Sequence, residues 1–522
     1  MEKKACMSTL IYLGIAICLL ASMAMIDSAK GAPAPTSGPR YGGTLRVSNQ
    51  YDGISIGYPP KLARVASNRQ VAPAIESLFR FDNTGKTVPW LATGSENSVE
   101  TKTITLTLRK GVKFHDGTDF NAEAVKWNLS QCMAARTGGT GKFKAIDVID
   151  DYTVRINLTE WDSTVISNLA QTLGMMISPA AYKKNGEEWC AKNPVGTGPF
   201  QFVSWEKDVR TVYKKFPDYW QKGKPYLDRI EWILIVDTLT QELSLRRGEI
   251  DIILTLASKP LAGLEKDGLV VTGVRMGSGV RGLVPDSVNP KSPFADVRVR
   301  QAAQYAIDTE AIVKAIFYGK NEPINQYVSK AHWGYNPSVV GYPYNPTKAR
   351  QLLAEAGYPN GFKTKILWLS TPEDDQVFAA VQGYFKAVGI DAELDPAPGG
   401  RYDQTTSGGK WEGLLMASRS GNPDVVAPLA MWYSGSGKYY TQMLVPDDYA
   451  KAIQNAVTAS DFRTKQKWTQ EAMKLMIDKY CLLIPIFCGS EFAVSQPSVR
   501  SHGFMETPFT GMWTPEDAWL SR

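Results

Sequence analysis

Between residues 101 and 110 the chain reads TKTITLTLRK, with Ile104, Leu106 and Leu108 alternating against threonines. A period of two predicts a strand with one buried and one wet face. The period then changes. Asn121 followed by AEAVKWNL reads as an N-cap and an amphipathic helix. Further on, EWILIV (231–236) is an unbroken apolar run, the pattern of a buried strand. A helix over about 239–247 ends at Gly248, and DIIL (251–254) supplies another strand.

The second half is punctuated more sharply. Asn345-Pro346 supplies an N-cap and a proline at the first helical position, with Gly357 at the C-cap. The strand KILWL (365–369) follows. A helix with Val377, Val381, Phe385 and Val388 on one face then ends at Gly389, and IDAEL (390–394) returns as a strand. Strand, crossover helix, strand is a βαβ unit and predicts a parallel pair. An amphipathic helix from about Phe462 to Ile477 precedes the apolar strand LLIPIF (482–487). The opening strand lies in YGGTLRV (41–47). The chain is therefore mixed α/β. At 522 residues it exceeds the ~250–300 at which single cores stop growing, so two or more lobes are expected.

Composition narrows the class. Net charge is +6 with no long Lys/Arg run, which argues against a nucleic-acid partner. Lys3 and Lys4 precede an apolar run from Leu10 to Leu20, and small residues follow in DSAKGAPAP. This is the layout of a secretory leader, with cleavage expected after Gly31 and a flexible segment over 32–39. The residue before Cys18 is Ile17, not a small one, so a soluble mature protein is expected rather than a lipid-anchored one. Cys132, Cys190, Cys481 and Cys488 remain beyond the leader; an even count permits disulfides, and buried free thiols fit equally. With only His115, His332 and His502, no metal site of protein side chains and no cofactor is expected.

Three short motifs fail on context. GSGVRG (277–282) has the spacing of a dinucleotide fingerprint, but Pro285 and Pro290 forbid the helix that must follow it. It reads as a permissive or tightly turning backbone. SGSGK (434–438) lacks the first glycine of a phosphate loop and has Tyr439 where Ser or Thr is required. His115-Asp116 sits in a turn before a helix, not in a catalytic dyad. Nothing in the sequence favours a nucleophile set, so no enzymatic role is expected.

Several stretches in order resemble the family 5 extracellular solute-binding proteins. They are YGGTLRV, LTLRKGVKFHDGTDFNAEAVKWNL (106–129), VGTGPFQFVSW (195–205), FPDYWQKGKPYLDRIEW (216–232), RRGEIDI (246–252), PFADVRVRQAAQYAIDTEAIVKAIFYG (293–319) and YNPTKARQLLAEAGYPNGF (344–362). The resemblance implies a two-lobed periplasmic-binding fold. Lobe one would take 40–84, the return 196–285 and the tail 489–522. An extra subdomain would span 85–195, and lobe two 286–488. It implies a periplasmic, monomeric binding subunit that closes by a hinge on a small solute, peptide-like or otherwise organic, and delivers it to the permease of an ABC importer.

The ligand positions depart from the family's peptide-binding pattern. Such members show Gly-Trp, two residues, then an Asp that holds the peptide's amino group. Here Ser418 stands at the Trp position and Gly421 at the Asp position, allowing for a short gap. Dipeptide binders place an Arg after the strand near 366–369, and this chain has Ser370-Thr371-Pro372. The resemblance therefore points to Tyr51, Arg281, Ser418, Arg419, Ser420, Asn422 and Asp424 as ligand contacts. Arg281 and Arg419 are cationic forks suited to an acidic group, and a surface or structural role fits them equally. A ligand-sensing receptor of the same fold and a secreted hydrolase are the competing functions.

Overall fold

The computed structural model describes residues 38–62, 65–255, 257–274, 280–419, 422–435, 439–504, 513 and 515–522. The region from Tyr41 to Arg522 forms one compact unit built on two large sheets. The first has seven strands. Thr44–Asn49 lies near its centre and pairs in parallel with Arg229–Leu234 on one side and Ile252–Thr255 on the other. The outer strands are Arg210–Lys215 and Phe200–Glu206 on one flank, and Glu491–Ser495 and Val270–Val274 on the other. The apolar run DIIL forms a strand buried on both faces, whereas EWILIV buries only alternate positions of its strand and leaves Val236 exposed beyond it. Leu45, Val47, Ile230 and Ile252 are all fully buried.

The second sheet has six strands, in the order Glu322–Pro323, Ile484–Cys488, Val280–Pro285, Leu414–Arg419, Phe362–Leu369 and Ile390–Ala397. Phe362–Leu369 pairs in parallel with both Ile390–Ala397 and Leu414–Arg419. The expected βαβ unit is thus present, with Pro372–Ala387 as its helix. Val377, Phe378, Val381 and Phe385 on that helix are fully buried in this lobe's core.

A third group of elements has a core of its own. Ala92–Ser98, Thr103–Leu108, Thr153–Leu158 and Phe143–Asp150 make a four-stranded antiparallel sheet, with the helix Ala122–Ala134 against it. The period-two strand behaves as predicted: Ile104, Leu106 and Leu108 are buried and the threonines between them are not.

Two segments cross between the large sheets. Val270–Val274 belongs to the first sheet and Val280–Pro285 to the second. On the return, Ile484–Cys488 belongs to the second and Glu491–Ser495 to the first. The residues that flank the crossings are in register, Val274 opposite Glu491 and Val280 opposite Cys488. Val280–Pro285, which the expected boundaries place in the return of lobe one, pairs on both sides with strands of the second sheet, and Val280, Leu283 and Val284 are nearly or fully inaccessible there. No helix among the described residues is long and apolar enough to cross a membrane.

Candidate ligand-binding site

In open α/β sheets, ligands bind beyond the carboxyl ends of the parallel strands. Lobe one ends its parallel strands at Asn49, Leu234 and Thr255, and lobe two at Leu369, Ala397 and Arg419. Tyr51 lies just past the first of these ends. The Asn49 side-chain amide donates to the Tyr51 carbonyl at 2.7 Å, which fixes the turn, and the tyrosine is exposed.

On lobe two, Arg281 is the second residue after the crossing and stands in register with Ser418. The two residues are cross-strand partners in the backbone ladder. The guanidinium is not a free cation. Its Nε donates to Asp374 Oδ1 at 3.2 Å. Asp374 is buried in the first turn of Pro372–Ala387, where Thr371 is the N-cap and its hydroxyl donates to Asp374 Oδ2 at 3.0 Å. The segment Ser370-Thr371-Pro372 therefore starts a helix whose carboxylate takes one edge of Arg281. The terminal nitrogens of Arg281 make no hydrogen bond among the described residues, which leaves a fork that an acidic group can meet.

Arg419 pairs with Val280 through the backbone. The side chains of Ser418 and Arg419, and all of Ser420, lie outside the described residues. Asn422 lines a cavity of about 890 Å³ between lobe two and the antiparallel subdomain. Its Oδ1 accepts from the Asp424 backbone N–H at 2.9 Å.

Asp424 departs from the expectation. It is buried, and its Oδ2 accepts from Lys465 Nζ and Ser167 Oγ, each at 2.5 Å. Its Oδ1 accepts from the Val426 N–H at 3.2 Å. A carboxylate so committed has little capacity left for a ligand, and Asp424 is a structural tie.

One feature of the cleft had no signal in the sequence. Arg69 and Glu491 form a bidentate ion pair, Nη1 to Oε1 at 2.5 Å, with side chains only 6% and 12% exposed. Glu491 is the first residue of lobe one after the return crossing. The hinge is thus flanked by an ion pair on each side, Arg69–Glu491 below and Arg281–Asp374 above. These partners are 422 and 93 residues apart, so spacing could not pair them.

Residues 86–440 match the family described as bacterial extracellular solute-binding proteins, family 5. The glutathione-binding protein GsiB of Pectobacterium atrosepticum is 34% identical over 467 residues, covering 85% of this chain and 88% of that protein. Among solved structures, the periplasmic binding protein DppA of Helicobacter pylori, in complex with the peptide STSA, superposes with a TM-score of 0.72 at 26% identity. The match covers 92% of this chain and 99% of that one. HbpA2 of Haemophilus parasuis reaches a TM-score of 0.81 at 23% identity, over 92% of this chain and all of that one, a likeness of fold. The two sheets, the paired crossings and these matches agree: the chain belongs to the bacterial extracellular solute-binding proteins of family 5, the binding subunits of ABC importers.

Proposed function

We propose that this protein captures a small acidic, peptide-like solute of the glutathione class and delivers it to an importer's permease. The observation that carries the reading is Arg281, at the strand ends beside the hinge, with terminal nitrogens uncommitted among the described residues and Ser418 opposite it in the backbone register. Such a fork suits a carboxylate, and glutathione carries two. The 34% identity to a glutathione-binding protein over most of both chains supports the same class. The absence of the Asp and Arg that hold ordinary dipeptides in this family favours a ligand anchored differently. In this reading the chain is a monomer, exported by a leader that ends near Gly31, and the ligand leaves it chemically unchanged.

Calorimetry on the chain from residue 32 tests it. Glutathione should bind, and free dipeptides should bind far more weakly. Loss of a charge-assisted hydrogen bond costs about 1.5–3 kcal/mol, so Arg281→Ala should weaken binding roughly tenfold to hundredfold. Arg419→Ala should act in the same direction, and the exposed control Lys222→Ala should change nothing. Equal affinity in all four proteins would remove the acidic-ligand reading.

A further inference from the structure

The cavity of about 890 Å³ that Asn422 lines is not needed for an acidic head group held at the strand ends. Its walls come from the antiparallel subdomain, from the helix Val426–Trp432 with Asn422, and from Pro59 and Leu62 of lobe one. Its size falls within the range of ligand sites, 300–1,000 Å³ as an order of magnitude. The charges on its wall are already answered. Lys142 is paired with Glu160, and Asp162 Oδ1 accepts from the Thr164 N–H at 2.8 Å and hydroxyl at 2.7 Å. The threonine hydroxyls are spent as well: Thr137 donates to the Cys132 carbonyl, and Thr172 accepts from Asn68.

Three side-chain amides remain. Asn168 makes no side-chain hydrogen bond among the described residues, although it can donate twice and accept twice. Gln171 uses only its nitrogen, in long bonds of 3.3 Å to Ser167 and 3.5 Å to Asn422, and its Oε1 is unused. Asn422 uses only its oxygen, and its Nδ2 has no acceptor among the described residues. The loop beside them is held open by glycine. A Cβ at Gly139, where φ is +93°, would lie 2.9 Å from Asn168 Nδ2, and Gly138 and Gly141 place no side chain in the space. Pro59, Leu62 and Met431 supply apolar wall. Amides with hydrogen-bonding capacity to spare, on a partly apolar wall whose charges are already paired, suit neutral groups that both donate and accept.

Asn422 is also close enough for one ligand to reach both places. It follows Ser418 by four residues, at most about 14 Å of extended chain, and Ser418 is in register with Arg281.

From these observations we infer a second compartment of the ligand site, formed by Asn168, Gln171 and Asn422, that takes a neutral amide-bearing extension of the acidic solute. The preferred ligand is then a conjugate larger than glutathione itself. The inference rests on the acidic-peptide reading above.

The test compares glutathione with S-carbamoylmethylglutathione, which adds one neutral primary amide at the sulfur, by calorimetry on the chain from residue 32. The conjugate should bind about tenfold tighter than glutathione. In the double variant Asn168→Ala/Gln171→Ala the conjugate should fall to the glutathione level, and glutathione affinity should stay within about twofold of the parent. A thermal-unfolding scan of the variant confirms that it is folded. If both ligands bind the parent equally, or the variant weakens both alike, the compartment is refuted and the acidic-peptide reading survives. If neither ligand binds the parent, that reading fails and the compartment fails with it.

Discussion

At the scale of single residues, the three histidines make the stability of this protein sensitive to acid. His115 donates Nε2–H to the Gly198 carbonyl at 2.9 Å, and its Nδ1 is buried without a partner. His332 is buried and accepts the Gly334 N–H on Nδ1 at 3.0 Å. His502 accepts the Phe504 N–H on Nδ1 at 3.0 Å. Burial lowers each ring from about 6.5 to about 4. An unfolded histidine takes its proton near pH 6.5 and the folded one only near 4, so between these values the unfolded chain binds more protons. Stability must therefore fall as pH drops from about 7 to 4, and the histidines add no slope above that window. Each contributes at most about 3 kcal/mol of this loss. Urea unfolding at pH 7.5 and 4.5 should show a large drop in midpoint, reduced in His115→Gln; equal midpoints would contradict the assignment. From the sequence these histidines are expected to build no metal site, but their burial is not legible there. The same limit applies to the charges of the site. Arg281 was legible as a cation at a strand, whereas its partner Asp374 and the full commitment of Asp424 depend on packing across distant elements.

At the scale of elements, local chemistry was the legible part. Asn121, Asn345 and Asp308 cap their helices as their positions predict, accepting from Ala124, Lys348 and Ala311 at 2.9–3.0 Å. A cap is decided within four residues, so the sequence contains all of it. Sheet membership is not local, and periodicity could not say that Val280–Pro285 had already left lobe one. The third glycine of GSGVRG marks this strand for another reason. Opposite Gly282 the register jumps from Phe487 to Pro485, a bulge beside a proline that has no N–H for the ladder. A Cβ on Gly282 would lie 2.6 Å from the Ile484 carbonyl oxygen, a backbone atom with little room to move. Gly282→Ala should therefore force the strands apart at a cost of about 1–3 kcal/mol. Because Arg281 is the next residue, the change should also displace its fork and weaken ligand binding. Thermal unfolding and calorimetry on one preparation would check both effects; a variant with the parent's stability and affinity would show that the crossing tolerates the methyl group.

At the scale of the whole molecule, the antiparallel subdomain is fastened to lobe two by a set of bonds away from the hinge. Trp161 Nε1 donates to the Ala459 carbonyl at 2.9 Å. The Ser163 N–H and Oγ donate to the carbonyls of Val457 and Ala456 at 2.8 and 3.0 Å. Lys465 Nζ bridges the junction, donating to the Ser163 carbonyl at 3.2 Å and to Asp424 at 2.5 Å, while Ser167 donates to the same carboxylate. The partners are about 260 to 300 residues apart, which is why no reading of local pattern could join them. The junction also lies next to the amide-lined cavity, since Ser167 and Asn168 are neighbours and Asn422 precedes Asp424 by two. The side chains of Lys465 and Asp424 are only 10% and 4% exposed, so removing the lysine strands a carboxylate in low dielectric. Lys465→Met should cost about 3–5 kcal/mol, against little for the exposed control Lys451→Ala. Asp424→Asn in the Lys465→Met background should return part of that loss, because the stranded charge is gone. A double-mutant cycle from urea unfolding measures the coupling. Strictly additive effects would mean that the two residues do not act as a pair.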